Sequence, residues 1–445
     1  METLDSTIIT TALPAMARGL GRSTLDLTAS VTVYLVAMTV LVPAAGWASV
    51  RFDARNVFAC AVATFTVASL LCGISPTFEA LIAARLLQGA AAAFMSPVGR
   101  LIVLRETPTH RIIAAIGLIV WPGLVAPVIG PALGGLITTY ASWRWIFLLN
   151  IPLGIVGVWL VLRCIPAHAK ASTGAFDMTG FLLTAIALAC LIHGLSLVAA
   201  GRDSATSGAA FVGAGLAVGF FAVRHALRHP APMLALDAAA IPTFAISTLT
   251  AGLAARVAIS MTPFLLPLMF QIGFGATPFA AGVMLLVYMA GNLAMKSVTT
   301  PILHRFGFRD VIRWNGALCV ASLLAFGLFS PGMSVALIYT VLFVAGMARS
   351  MNFTSMATLA FADVPATTRA SATTLSAMAQ QASNALGVAL AAVLLGLFEA
   401  TRSGTQLALG DFQRAFLASA ALMALAVAGA WRLPRDAGAT LSKGS

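Results

Sequence analysis

The chain is a succession of long apolar runs separated by short polar breaks. A helix needs roughly 20 residues to cross a hydrocarbon core of about 30 Å. On that measure the runs predict spans near 1–16, 27–49, 56–75, 79–104, 112–139, 145–165, 179–200, 208–226, 241–270, 279–300, 311–330, 334–361, 371–398 and 414–431, fourteen in all. Only helices and closed barrels satisfy every backbone group inside lipid. The runs are continuous rather than alternating, which excludes a barrel. The pattern predicts an all-α integral membrane protein.

Composition points the same way: 60% of the residues are apolar, 9% are charged and the mean hydropathy is +0.97. Soluble domains carry about 25% charged residues. A formal charge of +12 would suggest a nucleic-acid partner in a soluble protein. Here the basic residues sit in short loops, so the partner they imply is the lipid bilayer and no nucleic acid is expected. With the N-terminus in the cytoplasm, fifteen of the 26 Lys and Arg fall on that side and six on the other, while Arg85, Arg100, Arg256, Lys296 and Arg349 fall within spans. The positive-inside asymmetry places both termini in the cytoplasm.

Several chemistries are not expected. The five cysteines lie in apolar runs with no Cys-x-x-Cys spacing, which reads as small buried hydrophobes rather than a disulfide or metal framework. His225 and His229, four apart before Pro230, read as a helix end at the membrane surface, so no metal site is expected. No P-loop, HExxH or nucleophile elbow appears, so the chain is expected to be no enzyme and to need no cofactor. No A-x-A cleavage site follows the first run, and the first spans read as uncleaved insertion signals.

Arg51-Phe52-Asp53-Ala54-Arg55 follows the second span, and Arg305-Phe306-Gly307-Phe308-Arg309 follows the tenth. Both read Arg-Phe-x-x-Arg in the loop between spans two and three of a six-span unit. The repeat predicts duplication: an N-terminal six-helix bundle over 1–165, a two-span insert with linkers over 166–237, a C-terminal six-helix bundle over 238–432 and a tail over 433–445.

Ionisable residues at a span centre cost about 2.5–3.5 kcal/mol on insertion scales, so they usually face a wet cavity or a partner. Arg85, beside Gln88, either tunes a nearby carboxylate or snorkels towards the surface marked by Glu79. Asp5, beside Ser6 and Thr7, either carries a proton or caps the first helix. In the second half Gln380 and Asn384 either line a cavity or bond neighbouring helices. Arg256, Lys296 and Arg349 either bind an anionic cargo or, for Lys296, snorkel.

Four stretches resemble the major facilitator superfamily, specifically its fourteen-span drug/proton antiporter branch (EmrB/QacA type, MdtD-like). Leu4-Asp5-Ser6-Thr7-Ile8-Ile9, ending at Ala12-Leu13-Pro14, is similar to that branch's first-span signature. Arg85-Leu86-Leu87-Gln88-Gly89 matches its fourth-span element, and Ser142-Trp143-Arg144-Trp145, running to Asn150-Ile151-Pro152, looks like its entry to span six. Gly117, Ala126, Gly130, Pro131, Gly134 and Gly135 fit the antiporter motif G-x8-G-x3-G-P-x2-G-G, with Ala126 replacing one glycine.

The resemblance implies two six-helix bundles plus two extra central spans in a bacterial inner membrane. It implies proton-driven efflux of small organic, drug-like compounds by alternating access. Asp5 and Arg85 would handle the proton, and Arg51, Asp53, Arg55, Arg305 and Arg309 would form the cytoplasmic gate loops. Alternatives are export of an anionic metabolite or metal chelate, and a non-transporting membrane sensor. A periplasmic adaptor is neither implied nor excluded.

The sequence also departs from the pattern. Val50 stands where the gate loop's acid belongs, with Asp53 three residues on. The first run, of about 16 residues, is short for a span; either the start lies upstream of Met1 or the first helix is truncated.

Overall fold

In the computed structural model the described residues are 1–106, 112–166, 176–199, 202–230, 232–365, 368–402 and 406–433. Among them the chain is helical, with no strand. The first half comprises α1 (Glu2–Leu20), α2 (Thr24–Arg51), α3 (Ala54–Ile74), α4 (Phe78–Glu106), α5 (Ile112–Tyr140), α6 (Trp145–Leu148) and α7 (Asn150–Cys164). A hairpin of α8 (Met178–Ala199) and α9 (Arg202–Arg228) follows. The second half comprises α10 (Pro242–Phe244), α11 (Ala251–Leu268), α12 (Pro278–Phe306), α13 (Phe308–Phe326), α14 (Val335–Ala360), α15 (Arg369–Thr401) and α16 (Leu409–Ala430).

Among the described residues eleven helical segments are long and apolar enough to cross a membrane by length and composition alone. Three further helices complete the fourteen expected. Of α5, the stretch Val125–Tyr140 is a shorter apolar helix. α1 carries Glu2, Asp5 and Arg18, and α13 carries Arg309, Asp310 and Arg313. Large apolar side chains such as Ile155, Trp159, Leu216 and Phe220 are exposed along these helices, as a lipid-facing surface requires.

Two expected boundaries change. The first helix spans 19 residues rather than about 16. Pro14 does not end it; the helix runs on to Gly21, whose left-handed φ of 62° makes the C-cap. Arg18 stays compatible with the last turn by folding its Nε back onto the Pro14 carbonyl at 3.3 Å. At 1.5 Å per residue the helix is about 28 Å long, close to the thickness of the hydrocarbon core. The sixth span is broken into α6 and α7 at Leu149. The ninth is interrupted by π-turns at Ala245–Leu249 and Met269–Gly273, either side of α11.

The chain separates into two compact units: Met1–Gly194 with Ser207–Met233, and Leu195–Thr206 with the chain from Leu234 onward. Inside each, the same partners meet. In the first unit α2 lies along α4, α1 along α5, and α3 against both α4 and α7; in the second α12 lies along α14, α11 along α15, and α13 against both α14 and α16. Helix-by-helix correspondence is the packing expected of a duplicated six-helix unit. The insert helices contribute little to either core: 11% and 17% of their apolar windows are buried, against 83% for Pro242–Gly273. They form a lipid-facing hairpin.

Candidate functional site

The polar centre of the first unit begins with a close approach of two helices. A side chain at Gly89 would collide with the backbone of Tyr34, so the glycine lets α4 lie directly on α2. That contact sets Arg85, one turn before it, against the α2 backbone, with Gln88 immediately preceding the glycine. The Arg85 Nε donates to the Ser30 carbonyl at 3.0 Å, and its guanidinium lies 4.2 Å from the Tyr34 ring centroid.

Into this place α1 brings Asp5. Arg85 Nη1 donates to Asp5 Oδ2 at 2.5 Å and to Gln88 Oε1 at 2.6 Å. Gln88 Nε2 donates to Asp5 Oδ1 at 3.0 Å and to Ser69 Oγ at 2.8 Å. From α7, Asn150 Nδ2 donates to Asp5 Oδ1 at 3.2 Å. The side chains of Asp5 and Arg85 are both 0% exposed. Arg85 is therefore not snorkelling to the surface, and Asp5 is not a surface cap.

The cluster thus draws on α1, α2, α3, α4 and α7. Two buried atoms in it lack partners, Arg85 Nη2 and the Tyr34 hydroxyl. Removing one member of a buried ion pair typically costs about 3–5 kcal/mol, because it strands the other charge. The three nitrogen donors aimed at Asp5 thus tie α1 to α4 and α7.

The glycine motif of α5 faces α1. A Cβ at Gly134 would stand 2.5 Å from the Ile8 carbonyl and 2.6 Å from Thr11 Oγ1, and one at Gly130 would overlap Thr7. Small residues let the two helices touch through backbone, one and two turns along from Asp5. Pro131 and Gly135 lie on the same stretch of α5. Gly117 lies in the N-terminal part of that helix, where the side chains at 112–122 are outside the described residues.

The expected gate loops are built unlike one another. Asp53 caps α3, its Oδ1 accepting from the Arg55 amide at 3.3 Å, while its Oδ2 is buried without a partner. Arg55 donates to the Leu162 carbonyl at the end of α7; Arg51 is exposed. In the second loop Gly307 takes a left-handed φ of 75° between α12 and α13, and Arg305 lies over Phe306 at 5.4 Å. Arg309 Nε is buried without a partner. Among the described residues Asp53 makes no ion pair.

The second-half candidates form no single bonded cluster, although Lys296 lies within electrostatic range of Arg349. Arg256 is buried, and its guanidinium donates to the carbonyls of Ser247 at 3.2 Å and Thr248 at 3.5 Å in the first π-turn. Lys296 donates to Thr354 Oγ1 at 2.7 Å and is exposed. Arg349 lies near the rings of Tyr288 and Phe353, at 5.7 and 5.6 Å. Asn384 Oδ1 accepts from Ser260 at 3.0 Å, bonding α15 to α11; Gln380 is exposed. No hydrogen bond joins Arg256, Lys296, Arg349 and Gln380 to one another among the described residues.

Of the cysteines, Cys72 and Cys319 are buried as expected, but Cys60 and Cys164 are exposed, on helices whose outward residues face lipid. Cys60 lines an apolar groove of 470 Å³ between α2, α3 and α4, with Leu41, Phe52, Val57 and Phe94. Of the basic residues counted as cytoplasmic, Arg111, Lys170, Arg435 and Lys443 lie outside the described residues, as does the tail from 434.

Fold and site together define a multi-span helical membrane protein of duplicated six-helix units, with one charged network sealed inside the first. The chain belongs to the Major Facilitator Superfamily, whose family model matches residues 1–388. It is 39% identical over 400 residues to "Putative multidrug resistance protein MdtD" of Citrobacter koseri, covering 89% of this chain and 84% of the relative. The protein of the same name from Salmonella paratyphi B is 37% identical over 445 residues, covering 98% and 93%.

Solved structures share the fold at low identity. An auto-inhibited POT family peptide transporter superposes with a TM-score of 0.68 at 14% identity, covering 97% of this chain and 96% of that one. A bacterial homolog to the human lysosomal transporter Spinster, inward-facing, gives 0.64 at 16%, covering 97% and 93%. The protein is a transporter of this superfamily and not an enzyme.

Proposed function

We propose that the protein exports small hydrophobic or drug-like compounds from the cytoplasm in exchange for protons, across a bacterial inner membrane with both termini cytoplasmic. Asp5 is the proton carrier and Arg85 its counter-charge. The observation that carries this reading is the sealed Asp5–Arg85–Gln88–Asn150 network, an intramembrane carboxylate with a cation at contact distance. The name shared by the relatives supports the cargo class, and the tight α1–α5 glycine contact supports a first helix that rests against a rigid neighbour.

In the deprotonated state the ion pair ties α1 to α4 and α7. Protonation from the periplasmic side removes the negative charge and favours an alternative seating of α1. Release of the proton to the cytoplasm restores the pair. Alternating access follows if the two seatings favour opposite openings, since a ligand or proton shifts such an equilibrium only through its differential affinity. Three of the five basic residues expected within spans, Arg256, Lys296 and Arg349, have carbonyl, hydroxyl or aromatic neighbours in place, so no anion is needed to account for them.

Substrate-dependent proton release into the medium of inverted vesicles tests this reading. It should appear with a lipophilic cation panel for the native chain and disappear in Asp5→Asn while the protein remains folded and inserted.

A further inference from the structure

Outside the charged network, one cluster of metal-ligating groups stands in the described residues, where the insert hairpin ends. Asp177 precedes α8, and His225 and His229 lie at the end of α9, their ring nitrogens and a carboxylate oxygen all within 4.8 Å of one another. His225 Nε2 is 2.9 Å from Asp177 Oδ1. The two imidazoles lie tilted at 33° with centroids 5.0 Å apart, as an i, i+4 pair on one helical face allows. We propose that Asp177, His225 and His229 form a binding site for a borderline divalent transition metal, Zn²⁺ above all, that staples the α8–α9 hairpin to the chain leaving it.

The donor set is right for that ion. Two imidazoles and one carboxylate, with a fourth position left for water, is a recurring zinc arrangement. Bonds of about 2 Å at tetrahedral angles place ligand atoms roughly 3–3.5 Å apart. The His225–Asp177 separation of 2.9 Å is close to that, and the ligand nitrogen of His229, just past the last turn of α9, lies within 4.8 Å of both. The side chain of His225 is 22% exposed, which gives ion and water access.

Asp177 is also held in place as ligands usually are, by groups behind it. Its Oδ1 accepts from the Gly180 amide at 2.9 Å and its Oδ2 from the Met233 amide at 3.1 Å. The α9 C-terminus adds the negative end of a helix dipole, while Arg224 and Arg228 are exposed. The ion takes the place of the hydrogen between His225 Nε2 and Asp177: a neutral ring then carries its proton on Nδ1, and an imidazolium gives one proton to solvent. Because Met233 is tied to the same carboxylate, the bound ion fixes the residue where the first unit ends.

The test uses the full chain purified in detergent with a tag that contains no histidine. Zn²⁺ titrated calorimetrically should bind at one ion per chain with micromolar affinity or better and raise the thermal midpoint. Co²⁺ should give the absorption bands of a four-coordinate N/O site. His229→Ala leaves the Asp177–His225 bond and the helix intact, and should weaken binding by at least about tenfold, the lower end of the loss seen when a metal site is perturbed. Asp177→Asn retains the cap and should do the same. Binding that is absent, or undiminished in the His225→Ala/His229→Ala double variant of normal elution profile, overturns the proposal and leaves a plain His–Asp hydrogen bond.

Discussion

Arg85 meets three acceptors at once, the Ser30 carbonyl, Asp5 and Gln88, a geometry only a planar fork can satisfy. A lysine there keeps the charge but not the forked reach. Each hydrogen bond to a charged group contributes about 1.5–3 kcal/mol, so Arg85→Lys should slow proton-coupled transport by roughly tenfold or more (about 1.4 kcal/mol per decade) and lower the thermal midpoint in detergent. Tyr34→Phe makes the opposite prediction for stability. The hydroxyl is buried with no partner, and deleting an unsatisfied buried group is neutral or favourable; the midpoint should hold or rise. A fall would mean that the hydroxyl is bonded in the working protein.

At this scale the sequence reveals charge well and its partners badly. Asp5 and Arg85 are legible because a charge in an apolar run has to be accounted for. Gln88 is legible because it lies one turn from Arg85. Asn150 is visible only as a member of the span-six stretch, and Ser30, Tyr34 and Ser69 not at all. Single serines in membrane helices usually bond their own backbone, as Ser30 and Ser69 also do here, to Leu27 and Phe65. Their second use depends on which helices meet, and no spacing along the chain encodes that.

Among the elements, the α1–α5 contact is the one on which the proposed movement of α1 depends. Gly134→Val introduces a branched side chain where even a Cβ stands 2.5 Å from the Ile8 carbonyl. Overpacking of this kind costs about 1–3 kcal/mol, so the variant should melt at a lower temperature and transport poorly. Gly123, on the same helix, has nothing within 4 Å of a built Cβ; Gly123→Ala should match the native protein in both assays. Equal effects at the two positions would show that α5 is sensitive to any lost glycine rather than to this contact. The long helices themselves were legible as apolar runs. The breaks were less so: Leu149 and the two π-turns flanking α11 lie inside continuous apolar sequence, where hydropathy carries no signal.

For the whole molecule, the repeated Arg-Phe-x-x-Arg loops point to duplication, and matching helix partners within the two units express it in packing. The loops themselves diverged, because Gly307 supports a backbone conformation that Asp53, at a φ of −50°, does not take. Orientation rests on loop charge alone. A C-terminal green fluorescent protein fusion should fluoresce and a C-terminal alkaline phosphatase fusion should be inactive; the reverse pair would invert the topology and with it the direction of transport.

The most direct measurement is proton release from inverted vesicles on addition of a lipophilic cargo, comparing the native chain with Asp5→Asn at equal membrane content. The account predicts release from the native chain and none from Asp5→Asn, with cargo binding retained in both. Undiminished release from Asp5→Asn would contradict it, placing the proton on another group and leaving the Asp5–Arg85 pair a structural tie.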